Sequence, residues 1–304
     1  MQAGTLLTAL FSVATLAGGA HRYLELFSHF RLQYLVVAVV LTLVLLAMRS
    51  WRWAVAGLLV ACVNAALVAP WYQTAAPGSG TGPSLKLLLA NVLASNPDKQ
   101  ALVSLIEAEQ PDLVLLQELT PARSATLNRL RDRYPHALEL PRVDHFGIGV
   151  LSRLPFTETQ TVASPPLGIP TLLVEVALAG EPVTIVTTHP MPPLGVDGFR
   201  ARNQQLDSVA DLLNEREGAK VLIGDLNATM WGHHFQRFVD RTGLHNVRRG
   251  FGVLPTWPTQ LPFAMIPIDH CLVSAGFDVR SVRTGPAIGS DHLPLLVELN
   301  VRDR

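Results

Sequence analysis

The sequence predicts an α+β protein in which two packed β-sheets are flanked by helices and preceded by transmembrane helices. The first 72 residues are mostly apolar and hold only five charged side chains, although the whole 304-residue chain has 24 basic and 24 acidic residues. Strand-length apolar runs recur from Leu85 onward, and several are continuous, as expected for strands that are covered on both faces. Helical segments separate some of these runs, which favours two sheets with helices on the outside.

Three apolar stretches near the N terminus predict about three helices within a transmembrane region, residues 1–72. They are Thr5–Ala20, Leu32–Met48 and Trp53–Tyr72. A bilayer core needs about 20 apolar residues, so the third stretch is long enough and the second is adequate with its flanks. The first stretch is short and could be a signal peptide, but it lacks the basic start of one, which favours a span.

The charges between these stretches bear on membrane orientation. The turn between the second and third stretches holds Arg49 and Arg52, which favours a cytoplasmic turn and an extracytoplasmic C-terminal part. The preceding loop also holds two arginines, Arg22 and Arg31, so the opposite orientation stays open.

A Gly/Pro/Ser-rich segment, residues 73–84, predicts a flexible linker, and residues 85–304 are long enough for one domain with a sizeable core. Residues 1–84 contain four of the 24 basic and one of the 24 acidic side chains, so the remainder has a net charge of about −3. This balance argues against a protein that binds long nucleic acid through bulk electrostatics.

The predicted elements follow in chain order. The strand-length runs are LKLLLANV, DLVLLQE, FGIGVLSR, TLLVEVAL, VTIVTTH, AKVLIGDLN, DHCLVS and HLPLLVELN. A first helix is predicted with Asn96 as its N-cap and Pro97 as its first residue. A second helix, FRARNQQLDSVADLLNEREG, has apolar residues at helical spacing and should end by Gly218. A third, HHFQRFVDRTG, follows.

Polar side chains of ligand type lie at the ends of these strands. They are Asn91, Glu118, His189, Asp225, Asn227, Asp269, Asp291 and His292. Any one of them alone is more often a turn residue, but the repeated pattern predicts a shared site. Carboxylate and amide oxygens without thiolates suit Mg²⁺ or Mn²⁺, and histidines add proton transfer. This combination is typical of phosphate ester hydrolysis.

Seven motifs together resemble the endonuclease/exonuclease/phosphatase superfamily, which has the deoxyribonuclease I-like fold. In chain order they are LLLANV, LVLLQE, GVLSRLPF, VTTHP, GDLNAT, IDHCLVS and SDHLPLLVEL. The resemblance covers about Leu85 to Asn300. The N-terminal spans and short linker resemble a membrane-anchored bacterial branch, which implies the bacterial inner membrane as the location.

The resemblance also implies a metal site. Glu118 would be the main Mg²⁺ (or Mn²⁺) ligand, with Asn91 beside it. Asp291 would be a further ligand or would help to align the site.

The remaining residues would carry the chemistry. Asp225 would orient or deprotonate the attacking water, and Asn227 would hold the phosphate. His292 would contact the phosphate or relay a proton, with Asp269 fixing its ring. His189 is a candidate acid, and the sequence leaves open whether Asp144 or Glu139 is its partner.

These inferences predict a membrane-tethered, divalent-metal-dependent hydrolase of phosphate esters, specifically a phosphodiesterase. Its partners would be the lipid bilayer and a phosphate-ester substrate, either a lipid head group or nucleic acid. One alternative is an endonuclease or exonuclease that acts on DNA or RNA. Another is a catalytically inactive, membrane-anchored binding or scaffold module. The sequence identifies no protein partner.

Overall fold

A computed structural model describes residues 1–73 and 82–302 as an N-terminal group of helices and a two-sheet sandwich. The helices are α1 (Gln2–Ala14), α2 (Arg22–Phe27), α3 (Arg31–Ala47), α4 (Trp51–Val68), α5 (Gln100–Glu109), α6 (Pro121–Leu127), α7 (Gly195–Asn214) and α8 (His233–Thr242). The strands are β1 (Ser84–Asn91), β2 (Leu113–Gln117), β3 (His136–Leu140), β4 (Ile148–Ser152), β5 (Phe156–Ser164), β6 (Ile169–Leu178), β7 (Glu181–Thr188), β8 (Ala219–Asp225), β9 (His245–Asn246), β10 (Asp269–Val273), β11 (Phe277–Thr284) and β12 (Leu295–Val301). Most of the predicted linker, residues 73–84, lies outside the described residues.

The sandwich consists of two six-stranded mixed sheets, which confirms the predicted fold class. The strand order is β11-β12-β1-β2-β4-β3 in the first sheet and β5-β6-β7-β8-β10-β9 in the second. One pair in each sheet is parallel, β1 with β2 and β7 with β8, while the other strand pairs among the described residues are antiparallel.

Three apolar layers explain why many strand sequences are continuously hydrophobic. The inner faces of both sheets form the central core, in which Leu87 and Ile223 are fully buried. The outer face of the first sheet packs against α5 and α6, and the outer face of the second packs against α7 and α8. The central strands are therefore buried on both faces.

The helix after β1 begins later than the sequence predicted. Asp98 Oδ1 accepts hydrogen bonds from the backbone N–H groups of Gln100 (2.8 Å) and Ala101 (3.1 Å). Asn96 is instead buried and donates to Ile288 O (3.0 Å). The predicted N-cap at Asn96 is therefore wrong, because a second capping-type residue two positions on satisfies the first turn.

Two N-terminal stretches are long and apolar enough to cross a membrane, judged by length and composition alone. They are Arg22–Ala47 and Trp51–Trp71, and most of their residues are not buried. The first apolar helix, Gln2–Ala17, is shorter. Helices α3 and α4 form a hairpin whose turn lies at Arg49.

The end of this hairpin opposite the turn packs against the sandwich. Trp231 Nε1 donates to Leu67 O (3.1 Å), and Gln33 Nε2 donates to Met265 O (2.8 Å). Trp71 is buried among apolar residues on the outer face of the second sheet. The start of α3 and the segment after α4 are thus attached to the sandwich, whereas the rest of the hairpin extends away from it.

Candidate active site

Topology alone brings the predicted site residues to one edge of the sandwich. The parallel strands β1, β2, β7 and β8 all end there, at or just before Asn91, Glu118, His189 and Asp225. The antiparallel neighbours begin at the same edge, so that Asp269 at the start of β10 lies directly opposite Asp225 in register. The polar residues at the ends of these strands therefore lie close together at one edge of the sandwich.

Asp225 lies at the centre of the cluster and is 1% exposed. Its Oδ2 atom accepts a hydrogen bond from Asn91 Nδ2 at 3.1 Å. The same oxygen is 3.4 Å from His189 Nε2 and 3.6 Å from His292 Nε2. Burial raises the pKa of Asp225, because ionisation would place a negative charge where water cannot solvate it, and the nearby Asp269 charge adds to the rise.

His292 connects Asp225 to Asp269. Its Nδ1 lies 2.8 Å from Asp269 Oδ2, on the side opposite Asp225. Burial favours the neutral ring, but the charges of Asp269 and Asp225 outweigh it and raise the pKa of His292 to about 10. The pKa of Asp269 is lowered in spite of burial, because His292 supplies charge and a hydrogen bond. The ring is thus held in one orientation and favoured in its protonated form.

Glu118 forms the second acidic centre. Its carboxylate accepts hydrogen bonds from Ala94 N (2.9 Å) and Asn91 Nδ2 (3.3 Å), and His145 Nδ1 lies 2.8 Å away. These contacts overcome the effect of burial and lower the pKa of Glu118. Its backbone φ of 58° lies in the left-handed region, which a glutamate rarely adopts. Such a conformation at the end of a strand is typical of a functional position.

Asn227 and Asp291 complete the predicted set. The Asn227 side chain donates to Pro190 O (3.0 Å), and its backbone N–H donates to Asp225 Oδ1 (3.0 Å). Asp291 accepts from Trp257 Nε1 (3.0 Å). Seven of the eight predicted residues line one cleft of about 440 Å³, and the eighth, Asp269, lies behind His292.

The acidic residues have the chemistry of a divalent cation site. Glu118 and Asp225 both accept from the single amide group of Asn91, so two buried carboxylates face each other across one neutral donor. A nearby cation would relieve the repulsion between them. Oxygen donors from Glu118, Asn91 and Asp291 fit Mg²⁺ or Mn²⁺. Ligand atoms of Asp225, Asp269 and His292 also lie within 4.8 Å of one another, but Asp269 is already bonded to His292.

His189 has a different partner from either residue considered in the sequence. Asp144 pairs with Arg142 (2.6 Å), and Glu139 pairs with Arg131. The partner of His189 is Asp225, which belongs to the next strand of the sheet. The β3–β4 loop does reach His189, but the residue that lies against its ring is Phe146, at 5.8 Å between ring centroids.

Gln117 is a site residue to which the sequence reading gave no role. Its Oε1 accepts from the backbone N–H of Asp225 (3.1 Å), and its Nε2 donates to Thr187 Oγ1 (3.2 Å). It therefore joins the two sheets next to the backbone of Asp225. Gly224 provides the space, because a Cβ there would overlap with the carbonyl oxygen of Thr188.

A buried ion pair connects the N-terminal helices to the site. Arg202 Nη2 lies 2.5 Å from Glu25 Oε2, and both side chains are fully buried. Arg202 Nη1 also donates to the backbone oxygen of Asn227 (3.1 Å). No local sequence signal distinguishes Arg202 from other helix-surface arginines, so only the tertiary contact shows this connection.

The cleft has a wall made by the N-terminal segment. Leu26, His29 and Phe30 line it together with the acidic residues of the sandwich. His29 Nδ1 lies 2.9 Å from Thr229 Oγ1, which fixes this segment beside the loop that carries Asn227. The residues that precede α3 are therefore part of the site.

Comparisons with known proteins agree with this architecture. The family model described as "Endonuclease/Exonuclease/phosphatase family" matches residues 88–292, a span that includes all eight predicted residues. A search of curated protein sequences gave no significant match.

Several solved structures share the fold. An endonuclease/exonuclease/phosphatase from Beutenbergia cavernae DSM 12333 is 23% identical, with a TM-score of 0.61 and coverage of 72% of each chain. D. rerio TDP2 complexed with a single-strand DNA product is 18% identical, with a TM-score of 0.61 over 72% of this chain and 99% of that one. The human Nocturnin catalytic domain with bound sulfate is 17% identical, with a TM-score of 0.58 over 73% and 96%.

Proposed function

This chain belongs to the endonuclease/exonuclease/phosphatase family, and from that premise we propose that it is a membrane-tethered, divalent-metal-dependent phosphodiesterase. The observation that carries the proposal is the position of Asp225 Oδ2, within 3.6 Å of Asn91, His189 and His292 in an open cleft. A buried carboxylate with a raised pKa, flanked by two imidazoles, is suited to proton transfer beside a phosphate.

The residues divide the reaction between them. Asp225 accepts a proton from the attacking water, whose oxygen forms the new bond to phosphorus. His292, held by Asp269, donates a hydrogen bond to one phosphate oxygen. Asn227, in the same cleft, binds a second phosphate oxygen. His189, on the other side of Asp225, protonates the alcohol oxygen that leaves. A cation held by Glu118, Asn91 and Asp291 would supply positive charge for the phosphoryl oxygens.

The charge of the cleft supports metal dependence. The carboxylates of Glu118, Asp225 and Asp291 line it, and no lysine or arginine does so among residues 1–73 and 82–302. The protonated ring of His292 offsets only one of these three negative charges, so binding of a phosphate anion needs a further cation.

We also propose the domain arrangement and orientation that the sequence predicted. Residues 1–72 form the transmembrane region, residues 73–84 a linker, and residues 85–304 the catalytic domain. Arg49 and Arg52 lie at the hairpin end farthest from the sandwich, which supports a cytoplasmic turn and an extracytoplasmic catalytic domain.

The proposal is tested with the full-length protein in detergent micelles and bis-p-nitrophenyl phosphate as the substrate. We expect hydrolysis that a chelator abolishes and that added Mg²⁺ or Mn²⁺ restores. Glu118→Gln should weaken Mn²⁺ binding at least ~10-fold in calorimetry, since it removes the main anionic ligand. The matched control is Glu107→Gln, an exposed glutamate on α5. Hydrolysis that is insensitive to chelation, or no hydrolysis with either metal, would contradict the proposal.

Nuclease activity is the second candidate, because the structurally similar D. rerio TDP2 was solved with a single-strand DNA product. The same preparation is therefore also assayed with single-stranded and plasmid DNA. Metal-dependent DNA cleavage that Glu118→Gln abolishes would favour this candidate.

A further inference from the structure

The exposed apolar side chains of the sandwich are concentrated at the edge that carries the active site. Within residues 82–302, the large hydrophobic side chains that are exposed are Val143, Leu167, Leu194, Val196, Leu261 and Phe263. All of them lie in loops or in a first helical turn at this edge. Leu194 and Phe263 are 81% and 79% exposed. The opposite edge, among the described residues, has no such side chain, so this edge suits an apolar phase.

The active-site cleft continues this apolar surface inward. Its lining includes five apolar residues that are at least partly exposed: Leu26, Phe30, Pro192, Pro193 and Leu194. We call these five residues the apolar lip. His189, Asp225 and His292 of the same cleft are buried, so the exposed mouth of the cleft is apolar and its buried base is polar. Such a gradient matches a molecule with an apolar part and a charged end.

The apolar lip is continuous with the proposed membrane spans. Leu26 and Phe30 belong to the same apolar stretch as α3, which begins at Arg31. Gln33, in the first turn of α3, donates to the backbone oxygen of Met265, two residues after Phe263. The helix that enters the bilayer thus starts at the cleft mouth, and the exposed Phe263 lies close to that start.

The charges near the cleft disfavour a polyanionic substrate. The described lining residues include no lysine or arginine, and the catalytic part of the chain is mildly acidic. A nucleic acid strand needs cationic contacts along its backbone outside the reacting phosphate. A lipid has a single phosphate at the site, and its remaining contacts are apolar.

We propose that the substrate is a glycerophospholipid of the host bilayer, with its phosphodiester beside Asp225 and its acyl chains along the apolar lip. This rests on the proposed phosphodiesterase function. Water adds to phosphorus and gives a proton to Asp225. One ester P–O bond breaks, and the alcohol oxygen that leaves takes a proton. The products are a phosphate monoester and an alcohol, one of which remains in the bilayer.

The test uses the full-length protein reconstituted into phosphatidylcholine vesicles that contain phosphatidylglycerol or phosphatidylethanolamine. Mass spectrometry of the lipid and aqueous fractions measures hydrolysis, with Mg²⁺ or Mn²⁺ present. The deacylated glycerophosphodiesters, bis-p-nitrophenyl phosphate and single-stranded DNA are assayed in parallel. We expect hydrolysis of a vesicle lipid with kcat/KM at least ~10-fold above that of its deacylated form, since apolar burial adds binding energy.

The variant Leu194→Ser tests whether the apolar lip binds the lipid substrate, as distinct from contact between the protein and the membrane in general. Because the side chain is exposed, the substitution should not affect folding. It should lower the ratio of lipid to bis-p-nitrophenyl phosphate hydrolysis by about 10-fold. The matched control, Leu167→Ser, changes an exposed leucine at the same edge but outside the cleft and should keep the wild-type ratio.

The outcomes distinguish the inference from the proposed function. If bis-p-nitrophenyl phosphate is hydrolysed but no vesicle lipid is, the lipid substrate is wrong and the phosphodiesterase stands. Cleavage of DNA without lipid hydrolysis also overturns the lipid substrate. Equal rates on lipid and deacylated substrate, or an unchanged ratio in Leu194→Ser, would exclude a role for the apolar lip. If the protein hydrolyses none of these substrates, the proposed phosphodiesterase function is itself wrong.

Discussion

At the scale of single residues, the site is organised around one carboxylate. Asp225 accepts from Asn91 and faces two imidazoles, while its backbone N–H is held by Gln117. Each neighbour comes from a different strand, so the position of this group is fixed from several sides. A group that transfers a proton must be held in this way, because a small displacement of the group from the reacting atoms lowers the reaction rate strongly.

Asp225→Asn should reduce turnover at least ~10²-fold, the usual scale for the loss of a general base, since an amide cannot accept the proton from water. The shape of the side chain is retained, so the fold should remain intact. Steady-state hydrolysis of bis-p-nitrophenyl phosphate, with circular dichroism as a check on folding, measures this. Asp132→Asn, at an exposed position, is the control. Turnover near that of the wild type would refute the assigned role.

Asp269→Asn tests the support of His292. The carboxylate lies 2.8 Å from His292 Nδ1, and its charge helps to raise the pKa of His292 to about 10. Removal of that charge should lower this pKa, which NMR titration of the ring can follow. Turnover should fall by ~10²-fold, because the ring loses its fixed orientation and its protonated form. A pKa that does not change would show that Asp269 does not control the imidazole.

At the scale of elements, a fully buried ion pair between α2 and α7 connects the N-terminal helices to the sandwich. Glu25 and Arg202 are both fully buried, and Arg202 also holds the loop of Asn227. A buried pair contributes little net stability compared with an apolar pair, but loss of one member leaves an uncompensated charge. The pair therefore constrains how α2 sits beside the cleft.

Glu25→Gln should destabilise the protein by about 3–5 kcal/mol, because it leaves the Arg202 charge buried and unpaired. Chemical denaturation of the full-length protein in micelles measures the change. The matched control is Glu158→Gln, which breaks the exposed pair between Glu158 and Arg216 and should cost about 0–1 kcal/mol. Similar losses in both variants would show that the pair is not buried as described.

At the scale of the whole molecule, the N-terminal helices and the sandwich share an apolar core and a cleft. Val68 and Trp71 pack in the same cluster as Leu206 and Phe235 of the sandwich helices. Leu26 and Phe30 line the cleft. The N-terminal helices thus do more than the proposed tethering, because they cover part of the sandwich and form part of the proposed substrate site.

A chain reduced to residues 82–304 should be markedly less stable than the full-length protein. It loses the packing of Val68 and Trp71, and burial of each such side chain contributes about 1.5–3 kcal/mol. Domain stabilities are typically about 5–15 kcal/mol, so a large share would be lost. Size-exclusion chromatography and thermal unfolding measure the effect. A monomeric shortened chain as stable as the full-length protein would contradict the shared core.

The pattern along the chain was sufficient to predict the sandwich and the set of residues at its edge. The alternating or continuous apolar residues of a strand are close together in the sequence, and the polar residue that follows them marks the end of the strand. The roles of Asn91, Glu118 and the other site residues stay predictions until the variants are measured. The N-cap at Asn96 was wrong, because two capping residues lie close together and local signals do not rank them.

The sequence by itself determined the apolar N terminus, the two sheets and the polar strand ends. These features depend on the spacing of apolar and polar residues that are close together in the chain, so they can be recognised without the tertiary structure. Only the tertiary structure decided that His189 faces Asp225, that Glu25 neutralises Arg202, and that Leu26 and Phe30 form the cleft mouth. These contacts join segments that are distant in the chain. They arise from the packing of complete elements against each other, which no local pattern of residues encodes.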